Sequence, residues 1–341
     1  MPPREKVKIT TEDGNLVEAI APVIISASRS TDIPACYSDW FIKRLEIGYL
    51  VWINPFNRKQ TIYITFDNTR VIVFWTKNAE PLLKHLKTLD KLKLNYYIQF
   101  TLNDYVQENL EPGIPSLSDR IETFKQISDI IGKEKVIWRY DPILVSNQLS
   151  LPMILSRIKN IGDQIHKYTN RLIFSFIDIN QYDKVINNVA SSGIRELTQN
   201  EIYDFSSQLS VINQSWGLLI GTCGEEIDLS HMGISAMSCI DGSLISNLFG
   251  SDSKLMQYLS HHNKKDKGQR KSCLCIESKD IGQYNTCTNL CIYCYANRTK
   301  GEVNKNYSQH LKNRLAETIT GESITPSNDD QKKQANFSQF N

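Results

Sequence analysis

What most constrains this chain is a rhythm of short apolar runs, each ending in polar residues and followed by a segment long enough for a helix. The runs are VIISA (23–27), YLVWI (49–53), VIVFW (71–75), YYIQF (96–100), KVIWR (135–139), RLIFSF (171–176) and WGLLIG (216–221). Most are β-branched or aromatic and nearly continuous in apolar character, which is how parallel strands covered on both faces read. Helix-length segments lie near 36–47, 80–92, 118–131, 150–166, 182–192 and 198–214. Seven β–α units result, and Asp280–Tyr284 supplies a candidate eighth strand. The pattern predicts an α/β fold of the TIM-like (β/α) barrel type, with a doubly wound open sheet as the alternative.

In a parallel barrel the residues after each strand converge at one mouth. Arg29 and Asp32 follow the first run, Lys77 the third, and Arg139 and Asp141 the fifth. These five are the candidates for touching substrate or cofactor. The fixed fork of arginine suits carboxylate or phosphate, and aspartate orients such groups or accepts a proton. Taken singly, Asp32 and Asp141 stand next to or near prolines and also read as caps or turns.

Cysteine chemistry supplies the second constraint. Five of the eight cysteines fall within KSCLCIESKDIGQYNTCTNLCIYCYANR (271–298). Grouped thiolates without grouped histidines favour iron–sulfur or zinc over magnesium or calcium. Cys287, Cys291 and Cys294 form C-x3-C-x2-C, with Tyr293 before the last. Three such thiolates hold three irons of a 4Fe–4S cluster and leave the fourth open; a zinc knuckle and a purely structural cluster are the other readings. Cys223, Cys239, Cys273 and Cys275 add four thiolates, enough for a second 4Fe–4S cluster or one tetrahedral zinc. Cys36 lies on a candidate helix and reads as a buried, unligated thiol. His231, His261 and His262 lie between the cysteine groups, the last two in HHNKKDKGQRK (261–271), a solvated connector by composition.

The triplet, the aromatic Tyr293 and the following YA resemble the signature of radical S-adenosylmethionine enzymes. That resemblance implies an open iron chelating the methionyl amino and carboxylate groups, reductive cleavage to a 5'-deoxyadenosyl radical, a small-molecule substrate, and an electron donor such as flavodoxin or ferredoxin. In that superfamily the triplet follows the first barrel strand, whereas here it follows seven candidate strands. The implied barrel is therefore circularly permuted, with Asp280–Tyr284 in the first-strand role. No Gly-Gly-Glu string follows a suitable strand; Gly221, Gly224, Glu225 and Glu226 are the candidates for receiving the methionyl amine.

A closer resemblance rests on SASRSTDIPACYSDWF (26–41), NPFN (54–57), FWTKN (74–78), QFTLNDY (99–105), WRYDPI (138–143), SFID (175–178), CGE (223–225), CID (239–241) and the cysteine cluster. Over roughly 22–298 the chain resembles a bacterial family known only as a domain of unknown function. The resemblance implies an iron–sulfur, radical-enzyme-like barrel without an assigned reaction.

Composition bounds the remainder. A chain of 341 residues, 40% hydrophobic, can bury a sizeable core. Lys+Arg 39 against Asp+Glu 37 leaves +2, which gives no electrostatic case for nucleic acid. No run has the character of a signal peptide or membrane span, and the clustered cysteines suit a reducing cytoplasm. The expected organisation is a hairpin extension (1–21) turning at Asp13–Gly14, the barrel body (22–222), a metal-cluster region completing the barrel (223–300), and a C-terminal segment (301–341) with a helix at 306–316 and a partly disordered tail. Two further classes are a non-radical iron–sulfur redox or electron-transfer protein and a zinc-stabilised ligand-binding protein.

Overall fold

The computed structural model describes residues 6–55, 57–322 and 324. The expected disordered tail lies outside the described residues apart from its first part. The strands, in chain order, are β1 (Lys6–Thr10), β2 (Leu16–Ile20), β3 (Ile24–Ala27), β4 (Tyr49–Ile53), β5 (Thr61–Thr65), β6 (Val71–Thr76), β7 (Asn95–Thr101), β8 (Val136–Ile143), β9 (Arg171–Phe176), β10 (Leu219–Cys223), β11 (Ser235–Met237) and β12 (Lys279–Asp280).

Eight of them form one parallel sheet in the order β11-β10-β9-β8-β7-β6-β3-β12. From β3 to β11 the order runs in one direction, without the switch point that defines a doubly wound sheet. The last strand of the chain lies beside the first of this sheet, with Lys279 opposite Ile25 and Asp280 opposite Ser26. It is shorter than the expected Asp280–Tyr284 and begins one residue earlier.

The continuous apolar runs have a direct cause, because alternate residues feed two cores. Ile72, Phe74, Trp138, Leu172 and Phe174 pack under the long helices. Val71, Val73, Tyr97, Ile137 and Ile173 face the other way, against Leu244, Ile245 and Phe249 of helix Gly242–Phe249 and Leu255 and Leu259 of helix Ser253–His262. A closed barrel fills its interior with strand side chains alone. Here two helices occupy part of that face, and no ladder joins β11 to β12 among the described residues. The α/β architecture expected from the strand rhythm is thus present as an eight-stranded parallel sheet with both faces covered, and no ladder closes it into a barrel among the described residues.

YLVWI also departs from expectation. As β4 it joins a four-stranded sheet, β1-β2-β5-β4, pairing antiparallel with β5, while β2 of the N-terminal hairpin lies parallel to β5. The polar turn after β4 lets the next run, TIYIT, fold straight back, which is the shortest way to satisfy β4's backbone. The short strand β11 takes the vacated place in the strand count. Trp216 and Gly217, expected in a strand, instead close the preceding helix, with Gly217 at φ 68.

Helix boundaries follow their capping residues. Ser116 caps Leu117–Ile131, and Thr198 with Glu201 makes a capping box on Gln199–Asn213. Such caps contribute about 1 kcal/mol each. The C-terminal helix begins earlier than expected, at Lys300, where Thr299 caps it, and ends at Lys312. No helix among the described residues is long and apolar enough to cross a membrane.

Candidate functional site

The C-terminal ends of the parallel strands open into a cavity of about 360 Å³. Arg29, Asp32, Lys77, Arg139, Asp141, Gly224 and Tyr293 border it, and so do Cys223, Cys239, Cys273, Cys275, Cys287, Cys291 and Cys294. Residues from both halves of the chain and from strands at opposite parts of the sheet thus meet in one space. Gly221, Glu225 and Glu226 are not on its wall. Gly221 lies in β10, where a Cβ would stand 2.4 Å from the Ser235 carbonyl oxygen, so its role is close strand packing. Glu225 accepts the Phe176 N–H at 2.9 Å, and burial pushes its carboxyl up to about 7. Glu226 is exposed.

Two aspartates assemble the walls, Asp32 buried and Asp280 half-buried. Asp280 accepts hydrogen bonds from the hydroxyls of Ser26 (3.0 Å), Ser28 (3.0 Å) and Ser30 (3.1 Å) and from the backbone N–H of Arg29 (2.7 Å) and Gly282 (3.0 Å). This clasp is why SASRS and DIG occur in one chain: the first supplies donors and the second the acceptor. Gly282 must be glycine, because a Cβ there would lie 1.8 Å from Ser28 Oγ. Asp32 caps helix Ile33–Cys36 through the Ala35 N–H (3.0 Å) and also accepts the backbone N–H of Lys77 (2.8 Å) and the side-chain amide of Asn289 (2.8 Å). Burial pushes its pKa up against those hydrogen bonds. With its oxygens committed, Asp32 joins β3, β6 and the cysteine loop and acts by positioning.

The three-cysteine loop is held by other elements along its length. Tyr37 Oη donates to the Thr286 carbonyl (2.7 Å), Ile292 N–H to Leu110 (3.0 Å), and Gly113 N–H to Asn289 (3.0 Å). Leu290, within C-x3-C, adopts φ 53, a left-handed turn unusual for a leucine. Cys36 is half-buried rather than enclosed in the core: its Sγ lies 3.1 Å from Thr288 Oγ1 and beside Cys287. Next to Cys291, Lys77 Nζ donates to Glu111 Oε1 (2.8 Å) and Tyr293 Oη (3.2 Å), while Asn103 Nδ2 reaches Glu111 (3.1 Å) and Tyr293 (3.2 Å). Tyr293 in turn donates to Glu111. Burial pushes the Cys291 thiol well up, and the Lys77 cation opposes it. Burial works against the Glu111 charge, yet Lys77 and Arg120 hold its carboxyl below the usual range.

The four-cysteine group borders the same cavity. Cys223 and Cys239 place their sulfurs 2.8 Å apart, and Cys275 is within hydrogen-bonding reach of both Cys239 and Cys273. Arg139 Nη1 donates to Cys239 Sγ at 2.9 Å, while its Nη2 is held by Asp141 at 2.6 Å. Arg29 adds its charge to Cys275 and Cys239. Trp75 has the Arg29 and Arg139 guanidinium carbons 6.0 and 5.6 Å from its ring. These contacts hold the Cys275 thiol below its ordinary value, first through its cysteine neighbours and also through Arg29.

The donor chemistry fits thiolate-bound metal. The buried Arg139 and the half-buried Arg29 face the four-thiol group, and the half-buried Lys77 faces the triplet, which offsets the negative charge such centres carry. No compact single-ion group of His, Cys, Asp or Glu occurs among the described residues.

His231, His261 and His262 are exposed and lie away from the cavity wall. Glu111, Trp75 and Arg270 were not among the sequence candidates. Glu111 had only its place on the loop after the fourth apolar run to mark it, and Arg270 sits in the segment whose charge reads as solvated. No curated protein and no solved structure matches the chain. The family model described as domain of unknown function DUF1848 matches residues 24–296. That span runs from β3 to just past the last cysteine and takes in every residue of both thiol groups, and the chain belongs to this family.

Proposed function

We propose that this protein is an iron–sulfur enzyme of the radical S-adenosylmethionine type acting on a small molecule. The observation that carries the reading is that seven cysteines, far apart in sequence and divided into groups of three and four, border one cavity at the C-terminal ends of parallel strands. Cys287, Cys291 and Cys294 would hold a 4Fe–4S cluster, and Cys223, Cys239, Cys273 and Cys275 a second. When bound, the three-thiolate cluster supplies an open iron at which S-adenosylmethionine can be chelated and reductively cleaved.

The chain's own residues have definable tasks in this reading. Lys77, locked by Glu111 and Tyr293, places a fixed positive charge beside Cys291. Arg139 is oriented by Asp141, which also accepts from Ser175, so its remaining nitrogen points at Cys239. Topology supports a permuted relative of the barrel: β12 pairs with β3, and the triplet follows β12 as it would follow a first strand.

The test is metal and sulfide analysis of protein prepared without oxygen, followed by incubation with S-adenosylmethionine and a strong reductant. Iron and sulfide in two separable centres, a spin signal altered by the cofactor, and 5'-deoxyadenosine formation are expected. Cys291→Ala should remove the first centre and leave the second largely filled. Stoichiometric zinc without sulfide would favour the zinc-stabilised binding protein, and loaded protein indifferent to the cofactor would favour a non-radical iron–sulfur protein.

A further inference from the structure

The connector between helix Ser253–His262 and the C-x-C pair is a dense run of positive charge. Residues 261–271 carry five Lys or Arg against one Asp, a formal +4, whereas the whole chain carries +2 and is therefore net negative elsewhere. The segment folds back onto the cysteines. Lys265 bridges Ile276, Asp266 N–H donates to the Cys275 carbonyl (2.8 Å), and Cys273 N–H to that of Arg270 (3.0 Å). Lys265 Nζ is engaged with the Arg270 carbonyl at 2.7 Å, and Arg270 pairs with Asp178. Lys264, Lys267 and Lys271 are exposed and, among the described residues, pair with no carboxylate. Between Cys273 (9% exposed) and Cys275 (3%), Leu274 stands 47% exposed. An apolar tip is thus preceded in sequence by three exposed cations, with two buried cysteines directly beside it.

We infer that this face docks an acidic, low-potential one-electron carrier protein that feeds the four-cysteine centre, an inference that rests on the iron–sulfur reading of that centre. Complementary charge steers and orients such an encounter, and a small apolar contact suits a transient redox complex. A single-stranded nucleic acid would call for aromatic platforms, and residues 261–271 contain no Phe, Tyr or Trp. The transfer is balanced by one electron leaving the reduced carrier and one entering the centre, with no bond, proton or group exchanged.

The test uses the full chain with a reduced acidic flavodoxin as probe. Binding is measured by fluorescence anisotropy, and electron delivery by stopped-flow bleaching of the iron–sulfur absorbance, each over a range of salt. The triple variant Lys264→Glu, Lys267→Glu, Lys271→Glu should slow association about tenfold and flatten the salt dependence, while the distant Lys91→Glu changes neither. Iron content and reduction by dithionite should match wild type. Unchanged flavodoxin binding and delivery in the triple variant would overturn the inference, as would stronger, salt-sensitive capture of a single-stranded oligonucleotide. Protein lacking iron and sulfide would sink the iron–sulfur reading instead, and flavodoxin binding to that protein would still decide the docking face.

Discussion

At the scale of single residues, the site is built from carboxylates whose surroundings assign them different tasks. Asp280 and Asp32 are committed to several donors each, Glu111 is ion-paired, and Glu225 accepts a single backbone N–H. Burial therefore dominates Glu225 and raises its carboxyl to about 7. A carboxyl raised above its unfolded value of about 4.3 contributes stability that is full below that pH and is lost as pH rises through the folded value. Reduced, metal-free protein should accordingly be more stable against urea near pH 5 than near pH 8 through this group. Glu225→Gln should flatten that part of the profile and raise the midpoint at the higher pH. An unchanged profile would mean that Glu225 is ionised throughout.

At the scale of elements, the three-cysteine loop is shaped by its neighbours as much as by its own sequence. The loop before helix Leu117–Ile131 lies so close that a Cβ on Gly113 would stand 2.1 Å from the Thr288 carbonyl oxygen. Backbone cannot move aside as a flexible side chain does, so Gly113→Ala should force the two loops apart. The expected cost is about 1–3 kcal/mol, as for other overpacking changes, read from the urea midpoint. If the proposed clusters are present, metal analysis adds a discriminating measurement: iron at the three-cysteine group should fall while the four-cysteine group keeps its own. Equal loss from both would place the damage in the fold as a whole.

At the scale of the molecule, the chain's end fastens the smaller sheet to the larger body. After helix Lys300–Lys312 the chain passes over the helix carrying Trp40, whose Nε1 donates to the Ala316 carbonyl at 2.9 Å, and the N–H of Val51 in β4 donates to Glu317 at 2.9 Å. Val303, His310 and Ile319 are buried there. Ending the chain at Arg298 would uncover Trp40 and leave that N–H of β4 unpaired, although both thiol groups remain. The melting temperature should fall by on the order of 10 °C, with aggregation through the exposed β4 edge. A truncated chain melting like the full one would show that this segment contributes little.

Much of this was legible before the chain was folded. Continuous β-branched runs announced parallel strands because such strands must satisfy two apolar layers, and Asp-Gly marked the N-terminal hairpin because its turn needs that backbone freedom. The cysteine spacing likewise set apart the residues that line the cavity, because seven of the eight fall into its two thiol groups. What pairs with what is another matter, since periodicity reports which faces are apolar and is silent on the partner that covers them. Only the tertiary structure sent YLVWI to the smaller sheet, laid two helices against one face of the larger sheet, and joined Lys77 to Glu111. It also brought Asp280 under SASRS across a separation of 254 residues from Ser26, a contact that local sequence cannot specify because its acceptor and donors meet only after the sheet has assembled between them.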